Sequence, residues 1–333
     1  MAPFPPPYGP GESGPWPSRS VGPSVIYASG LGRGGLEMTV RLDGKPVAER
    51  VDESTRAAIR SLPAGAAPPC LASVHRGVDS PFRYYLKRQA KAASALGIAF
   101  RDEPLQPGEG PHELVERLRA LDQDPSVHAV LLEHPLPAPF DFYQAVAALR
   151  PEKDVDGVGT ANLGRLVAQA PVQVPAVALA AVEVARHYRV PLSGEPVAVL
   201  GRSETVGLPL ALLLAGKGVG VNATVTIVHS RSRDLAGALA GAKTIFSCVG
   251  RAGMLTRKVV PEGAFVIDVG VSTVPDPTRP GSSRTVGDAD FADLDGWAGG
   301  ITPVPGGVGP VTVARLMAST LQAYRALTGG VRP

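Results

Sequence analysis

The segment Gly201-Arg-Ser-Glu-Thr-Val-Gly207 follows an apolar run, Val197-Ala-Val-Leu200, and precedes a helical stretch through Leu214. A glycine turn joining strand to helix aims main-chain N–H groups and the positive end of the helix dipole at one point, which suits a phosphate. Ser203 stands where a dinucleotide fingerprint has its middle glycine, so the pattern alone fits an ordinary tight turn as well. The next strand, Ala223 to His229, ends in His229-Ser230-Arg231-Ser232-Arg233, with no acid before Asp234. A ribose 2′-hydroxyl calls for an acid at that place. Hydroxyls and guanidinium groups, with Arg202 beside them, suit a 2′-phosphate instead. These residues point to NADP rather than NAD, against the plainer reading of solvated surface arginines.

Three further segments carry polar groups in settings that chemistry uses. Pro151-Glu-Lys-Asp-Val-Asp-Gly157 offers two carboxylates beside a glycine, and on its own reads equally as an Asx-turn. Tyr85 and Gln89 lie four apart on a helical stretch and share one face, where Tyr85 alone reads as a core residue. Glu133-His134 follows the apolar run Val127 to Leu132, and the loop Thr302-Pro-Val-Pro-Gly-Gly-Val-Gly-Pro310 precedes the last helix.

The elements that must hold these residues follow from apolar spacing. A short alternating strand is expected within Met38 to Val51 (MTVRLDGKPVAERV), and helical spacing follows around Ala57, Ile59 and Leu62. Pro69 to Val74 reads as a buried parallel strand, Pro81 to Leu96 as a helix stopped by Gly97, and Val127 to Leu132 as the next strand. Short and long helices are expected at Phe142 to Leu149 and Pro175 to Tyr188. From Val197 the strands Val197 to Gly201, Ala223 to His229, Thr244 to Val249 and Ala264 to Val269 alternate with helices, half of a doubly wound sheet. The last helix is expected over Val311 to Leu327.

Composition narrows the function classes. The chain has 333 residues, 44% hydrophobic and 19% charged, enough for two cored lobes. Its net charge is +3 with no basic run, so nothing asks for nucleic acid. Two distant cysteines, Cys70 and Cys248, make neither a zinc pattern nor a disulfide framework, and no metal is expected. No apolar stretch is long enough for a membrane span, and the start lacks a signal-peptide pattern, so a cytoplasmic setting is expected. Gly or Pro fills 16 of the first 35 residues, which predicts a disordered tail over residues 1–37, with a PxxP ligand as its other reading.

Taken together, the segments 151–157, 201–209 and 302–312 give the chain a resemblance to the methylenetetrahydrofolate dehydrogenase/cyclohydrolase family, running from about Gly44 to Leu327. The resemblance implies a two-lobed α/β fold. A folate-binding catalytic domain (residues 38–176 and 308–328, closed by the returning C-terminal helix) embraces a Rossmann-like, doubly wound NADP-binding domain at 177–307. It also implies a homodimer. Asp156 matches the pterin-binding aspartate, and a carboxylate can pair in a planar, two-bond fashion with a pterin. Tyr85 matches the tyrosine beside the folate. Pro135, Leu136, Pro303, Gly306, Gly307 and Pro310 fall at substrate-lining positions. Gly201, Arg202, Ser203, Val206, Gly207, His229, Ser230, Arg231, Cys248, Val249, Gly250 and Thr312 fall at cofactor positions, with Thr312 expected to cap the last helix.

The departures bear on mechanism. Counting from Gly77, the family's lysine position is Gln89, its serine position is Phe82, and its Gln-Leu-Pro-Leu-Pro becomes Glu133-His134-Pro-Leu-Pro137. Hydrolysis of a methenyl group needs an activated water and a moved proton, which a lysine can manage and a neutral amide cannot. Hydride transfer depends mainly on positioning, so the oxidation survives the change. Glu133 reads either as a stabiliser of the developing iminium charge or as half of a hydrogen-bonded pair with His134. Pro175-Ala-Val-Ala178 replaces Pro-Cys-Thr-Pro, which leaves the nicotinamide side less constrained. The sequence thus points to an NADP-dependent methylenetetrahydrofolate dehydrogenase with little cyclohydrolase activity. A folate- and nucleotide-binding protein without turnover, or an enzyme for a modified pterin or another one-carbon carrier, are the other readings.

Overall fold

A computed structural model describes residues 38–77, 83–217, 221–279 and 281–329. In chain order the elements are β1 (Val40–Arg41), α1 (Lys45–Arg60), β2 (Cys70–His75), α2 (Arg83–Leu96), β3 (Ala99–Pro104), α3 (Pro111–Gln123), β4 (Ala129–Leu132), α4 (Phe142–Val146), α5 (Thr160–Val167) and α6 (Ala176–His187). They continue with β5 (Pro196–Leu200), α7 (Gly207–Ala215), β6 (Thr224–Val228), α8 (Leu235–Leu239), β7 (Thr244–Ser247), β8 (Phe265–Asp268), β9 (Ser272–Pro275), β10 (Ser283–Val286), α9 (Phe291–Leu294), β11 (Gly300–Ile301) and α10 (Val308–Thr328).

Two parallel sheets organise the chain. The smaller runs β3-β2-β4, and the larger runs β1-β11-β8-β7-β5-β6. β2 is buried along its whole length between two neighbours, which is why its sequence is a nearly unbroken apolar run rather than an alternation. In the larger sheet the order reverses at β5, so the glycine turn after β5 opens at a topological switch point, where ligands bind in doubly wound sheets. β9 and β10 form a separate antiparallel hairpin.

α10 ties the lobes together. It packs on α6 and α1 and reaches α2, β2 and β4, returning the end of the chain to the smaller sheet. Arg315 on α10 makes a two-point ion pair with Glu183 on α6, with Nε to Oε2 at 2.6 Å. Leu42, Val47 and Val51 share one core with α6, α7 and α10.

Several expectations need correcting. The segment from Asp43 read as continuing strand, but α1 already begins at Lys45: Pro46 suits a first helical turn, and Val47, Val51 and Thr55 recur at helical spacing on the buried face. β1 pairs with β11, so residues assigned to the first lobe complete the larger sheet. Thr312 does not cap α10, because the helix starts three to four residues earlier with Gly307 at its N-cap. Its buried hydroxyl instead bonds back to the Val308 carbonyl at 3.2 Å. β3, α3, α5 and the β9–β10 hairpin had no sequence expectation. The tail over 1–37, Phe82 and the expected start of α2 at Pro81 lie outside the described residues.

Candidate active site

The carboxyl ends of β2 and β4, the first half of α2 and the turn after Asp154 meet at one end of the smaller sheet. On α2, Gln89 is fully buried and takes a hydrogen bond at 3.2 Å from Ser73 Oγ on β2. Its Nε2 has no hydrogen-bond partner among the described residues. Lys87 and Lys91, two residues to either side, are exposed. The helical spacing that separates them from Gln89 in sequence therefore separates them in space as well.

The turn after β4 divides its two aspartates between different tasks. Asp154 is buried, accepts from Gly159 N and Asn162 Nδ2 at 2.8 Å each, and its main chain bridges Val130 of the sheet. It is the turn's internal anchor. Asp156 is half-buried and receives no hydrogen bond from the described residues. Burial, with the Asp154 carboxylate nearby, pushes its carboxyl up to about 7. Burial and the Asp156 charge also push the Tyr85 phenol upward, which places Tyr85 and Asp156 at the same site. Gly157 has φ 68°, and a Cβ there would lie 2.8 Å from the Val174 carbonyl carbon, so the turn packs directly against the segment leading into α6.

Glu133 finds its partner in Arg76, a residue that sequence reasoning passed over. The Arg76 main-chain N–H donates to Oε2 at 2.7 Å, and the guanidinium reaches Oε1 at 3.2 and 3.4 Å. The Glu133 side chain is 3% exposed and that of Arg76 35%, so the carboxylate is enclosed while the guanidinium reaches the surface. Beside them, His75 has both ring nitrogens engaged: Nε2 with Asp102 Oδ1 at 2.5 Å, and Nδ1 with the Gly77 N–H at 3.0 Å. That pattern fixes the tautomer with the proton on Nε2 and makes His75 a brace for the chain leaving β2. The sequence signal was present, since Ser73 and His75 are polar residues inside a buried strand. His134 is exposed and packs edge-on against Phe142, with centroids 4.5 Å apart. Pro135 follows a cis bond, and Leu136 packs against the smaller lobe's core.

At the larger sheet, the β5–α7 turn is tightly packed. A Cβ on Gly207 would lie 2.4 Å from the Gly201 carbonyl oxygen, so the helix start is pressed against the strand end. Ser203 Oγ accepts the Gly207 N–H at 3.3 Å, which explains how a serine serves at the middle-glycine position. Arg202 and Ser203 are exposed, and Val206 precedes the first helical residue. After β6, His229 and Ser232 close a tight turn that leaves Ser230 and Arg231 exposed. Neither Arg202 nor Arg231 makes a side-chain ion pair among the described residues, so both guanidinium groups are available to an anion. The loop Cys248-Val249-Gly250 stands at the end of β7, with Val249 exposed and Gly250 at φ 69°. Burial pushes the Cys248 thiol up, which makes it unreactive.

The loop before α10 is fixed from a place the sequence did not suggest. Gly44 N donates to the Gly306 carbonyl at 2.8 Å, and a Cβ on Gly44 would collide with the Gly307 carbonyl. Pro303 and Gly307 are buried, while Gly306 and Pro310 are half-buried. Among the described residues, no cluster of His, Cys, Asp and Glu could hold a metal ion, and no helix is long and apolar enough to cross a membrane.

The fold and site define a two-lobed α/β protein with a polar centre at one sheet end and a dinucleotide turn at the other. Comparison with known proteins assigns its family. Residues 42–156 match the tetrahydrofolate dehydrogenase/cyclohydrolase catalytic domain, and residues 175–328 match the NAD(P)-binding domain of the same family. The chain belongs to the tetrahydrofolate dehydrogenase/cyclohydrolase family. It is 39% identical over 294 residues to the bifunctional protein FolD of Chelativorans sp., covering 86% of this chain and 97% of that one. It is 40% identical over 285 residues to FolD of Nocardia farcinica, with the same coverage of each. Among solved structures, the 5,10-methylenetetrahydrofolate dehydrogenase of the silkworm Bombyx mori superposes with a TM-score of 0.81 at 33% identity, covering 88% of this chain and 100% of that one. The Trypanosoma brucei methylenetetrahydrofolate dehydrogenase-cyclohydrolase, solved with NADP and an inhibitor, also gives 0.81 at 33% identity, covering 87% and 99%.

Proposed function

We propose that this protein oxidises 5,10-methylenetetrahydrofolate to 5,10-methenyltetrahydrofolate in one-carbon metabolism, using NADP, and hydrolyses the product weakly or not at all. The observation that carries the second half is Gln89: a neutral amide, fully buried and held by Ser73, occupies the helical face below Tyr85, and the nearest lysines on α2 are exposed.

Asp156 pairs with the pterin through its otherwise unused carboxylate, and Tyr85 packs beside the ring. NADP, when bound, supplies the hydride acceptor. Gly201, Ser203 and Gly207 would hold its pyrophosphate, Arg202, Ser230 and Arg231 its 2′-phosphate, and Val249 and Gly250 would line the rest of the cofactor site. The oxidation leaves a cationic product and releases no proton from the folate, so it needs no base from the protein. Glu133 supplies negative charge at the reacting end, and Arg76 keeps that charge in place by pairing with it. Hydrolysis needs a proton acceptor for water, and Gln89 cannot be one. His75 is no substitute, because both of its ring nitrogens are already bonded within the fold.

The working form we propose is a cytoplasmic homodimer, as the family resemblance suggests, and sedimentation at micromolar concentration tests the dimer. The activity is tested by turnover with methylenetetrahydrofolate and NADP, then by feeding purified methenyltetrahydrofolate alone. Reduction of NADP with enzymic loss of methenyl no faster than the spontaneous rate is the expected result. Tight binding of both ligands without reduction refutes the dehydrogenase reading and favours a binding protein.

A further inference from the structure

Two buried aspartates behind the cofactor loop have no part in the chemistry above. Asp268 ends β8, and Asp288 follows β10; they are 2% and 0% exposed. Asp288 gathers the chain that leaves β7: its Oδ2 accepts from Ser247 Oγ at 2.6 Å and Val249 N at 2.8 Å, and its Oδ1 from Arg251 N at 2.6 Å. Asp268 accepts from Gly270 N at 3.0 Å and Ala289 N at 2.8 Å. Its own N–H donates at 2.7 Å to Thr302 Oγ1, at the head of the loop before α10.

The two carboxylates interlock. A Cβ on Gly270, two residues after Asp268, would lie 2.2 Å from the Asp288 carboxyl group, and a Cβ on Gly287, just before Asp288, would lie 2.0 Å from Asp268 Oδ2. Each carboxylate therefore fills the space that a side chain beside its partner would need. Among the described residues no cationic side chain pairs with either, so donors from the main chain and one serine carry the whole load.

We propose that Asp288, braced by Asp268, is a positioning residue for the cofactor: it sets residues 249–251, which would line the cofactor site. The proposal rests on the reading of Cys248, Val249 and Gly250 as cofactor residues. Among the described residues, the main-chain N–H groups of 249 and 251 donate to Asp288 alone. Release of Asp288 therefore frees the loop without touching the pyrophosphate turn at 201–207, and the loss appears as weaker nucleotide binding with the folate lobe unchanged.

A second consequence concerns pH. Burial and the neighbouring Asp288 push the Asp268 carboxyl up to about 7. The titratable groups that face it are Asp288 and Cys248, and Cys248 stays neutral because burial raises its thiol. As pH rises through about 7, Asp268 gains a buried charge beside the Asp288 carboxyl group, and the brace weakens.

The test measures NADPH binding by fluorescence and tetrahydrofolate binding without nucleotide, for wild type, Asp288→Asn, Ser247→Ala and Asp268→Asn. Asp288→Asn turns an amide N–H donor toward a main-chain N–H where the carboxylate offered an acceptor, and a roughly 10- to 100-fold weaker NADPH Kd is expected. Ser247→Ala removes one donor and keeps the fold, with ~3- to 10-fold weaker binding expected. Tetrahydrofolate affinity stays within about twofold in both, which a general structural defect would not allow. The ratio of wild-type to Asp268→Asn affinity, in which the ligand's own titration cancels, is expected to change between pH 6 and 8.5. NADPH binding unchanged in Ser247→Ala and in folded Asp288→Asn overturns the proposal, as does a pH-independent ratio. Failure of wild type to bind NADPH overturns the cofactor reading itself, and the proposal with it.

Discussion

Replacing Arg76 with alanine isolates its contact with the enclosed Glu133 carboxylate. The Glu133 side chain is 3% exposed, and the substitution removes guanidinium contacts at 3.2 and 3.4 Å while keeping the main-chain N–H at 2.7 Å. Stripping a buried carboxylate of its whole partner costs about 3–5 kcal/mol. Because one strong donor remains and Arg76 is itself one-third exposed, we expect about 2–3 kcal/mol here. Glu133→Gln alone is expected to cost about 1 kcal/mol, since Arg76 can turn to water. In the Arg76→Ala background the same change removes the weakly compensated charge and recovers about 1 kcal/mol of the loss, a coupling of about 2 kcal/mol. Urea unfolding of the four proteins at pH 7 measures the cycle, with equal slopes showing that the unfolded states are comparable. Arg76→Ala within about 0.5 kcal/mol of wild type, or strict additivity in the double variant, refutes the pairing as the support of a buried charge.

Asp156→Ala should abolish folate turnover while leaving NADPH affinity within about twofold, and normal kinetics in that variant sink the pterin assignment. With the Asp156 carboxyl near 7, kcat/KM for the folate should rise between pH 6 and 8 as the pairing anion forms; a flat profile contradicts this. Gln89→Lys with Glu133→Gln should restore hydrolysis of methenyltetrahydrofolate above the spontaneous rate, and no gain means that the missing lysine is not the cause. Asp268 also has a sign in stability: its folded value near 7 lies above the ordinary 3.8, so the folded form binds extra proton between about pH 4 and 7. Stability is therefore lost as pH rises through that window, by up to about 4 kcal/mol, and levels off above it. Asp268→Asn should lessen the fall of the urea midpoint over pH 5–7, leaving the share that the likewise raised Asp156 carboxyl contributes, and an unchanged slope refutes the assignment.

What the sequence conveyed, it conveyed locally. β5 is a buried parallel strand and reads as Val-Ala-Val-Leu; the glycines at 201 and 207 mark a turn whose packing admits no side chain; Tyr85 and Gln89 share a face because four residues make about one helical turn. The contacts that escaped reading join residues far apart in the chain. Arg76 and Glu133 are separated by 57 positions, Ser247 and Asp288 by 41, and no periodicity links them. β1 was misplaced for the same reason, since a two-residue strand has no pattern of its own and its sheet is chosen by β11, about 260 residues later. Asp-Val-Asp-Gly was ambiguous in sequence because it does both jobs: Asp154 makes the turn, and Asp156 receives no hydrogen bond from the described residues.

The central claim is that oxidation proceeds here and hydrolysis does not. One measurement reaches it directly: reduced nicotinamide and the methenyl product are followed separately after methylenetetrahydrofolate and NADP are mixed with the wild-type protein. The account predicts that both signals rise in equal amounts and that the methenyl signal then decays no faster than it does without enzyme. Decay that accelerates with enzyme concentration contradicts it, because some group other than a lysine at position 89 would then be activating water.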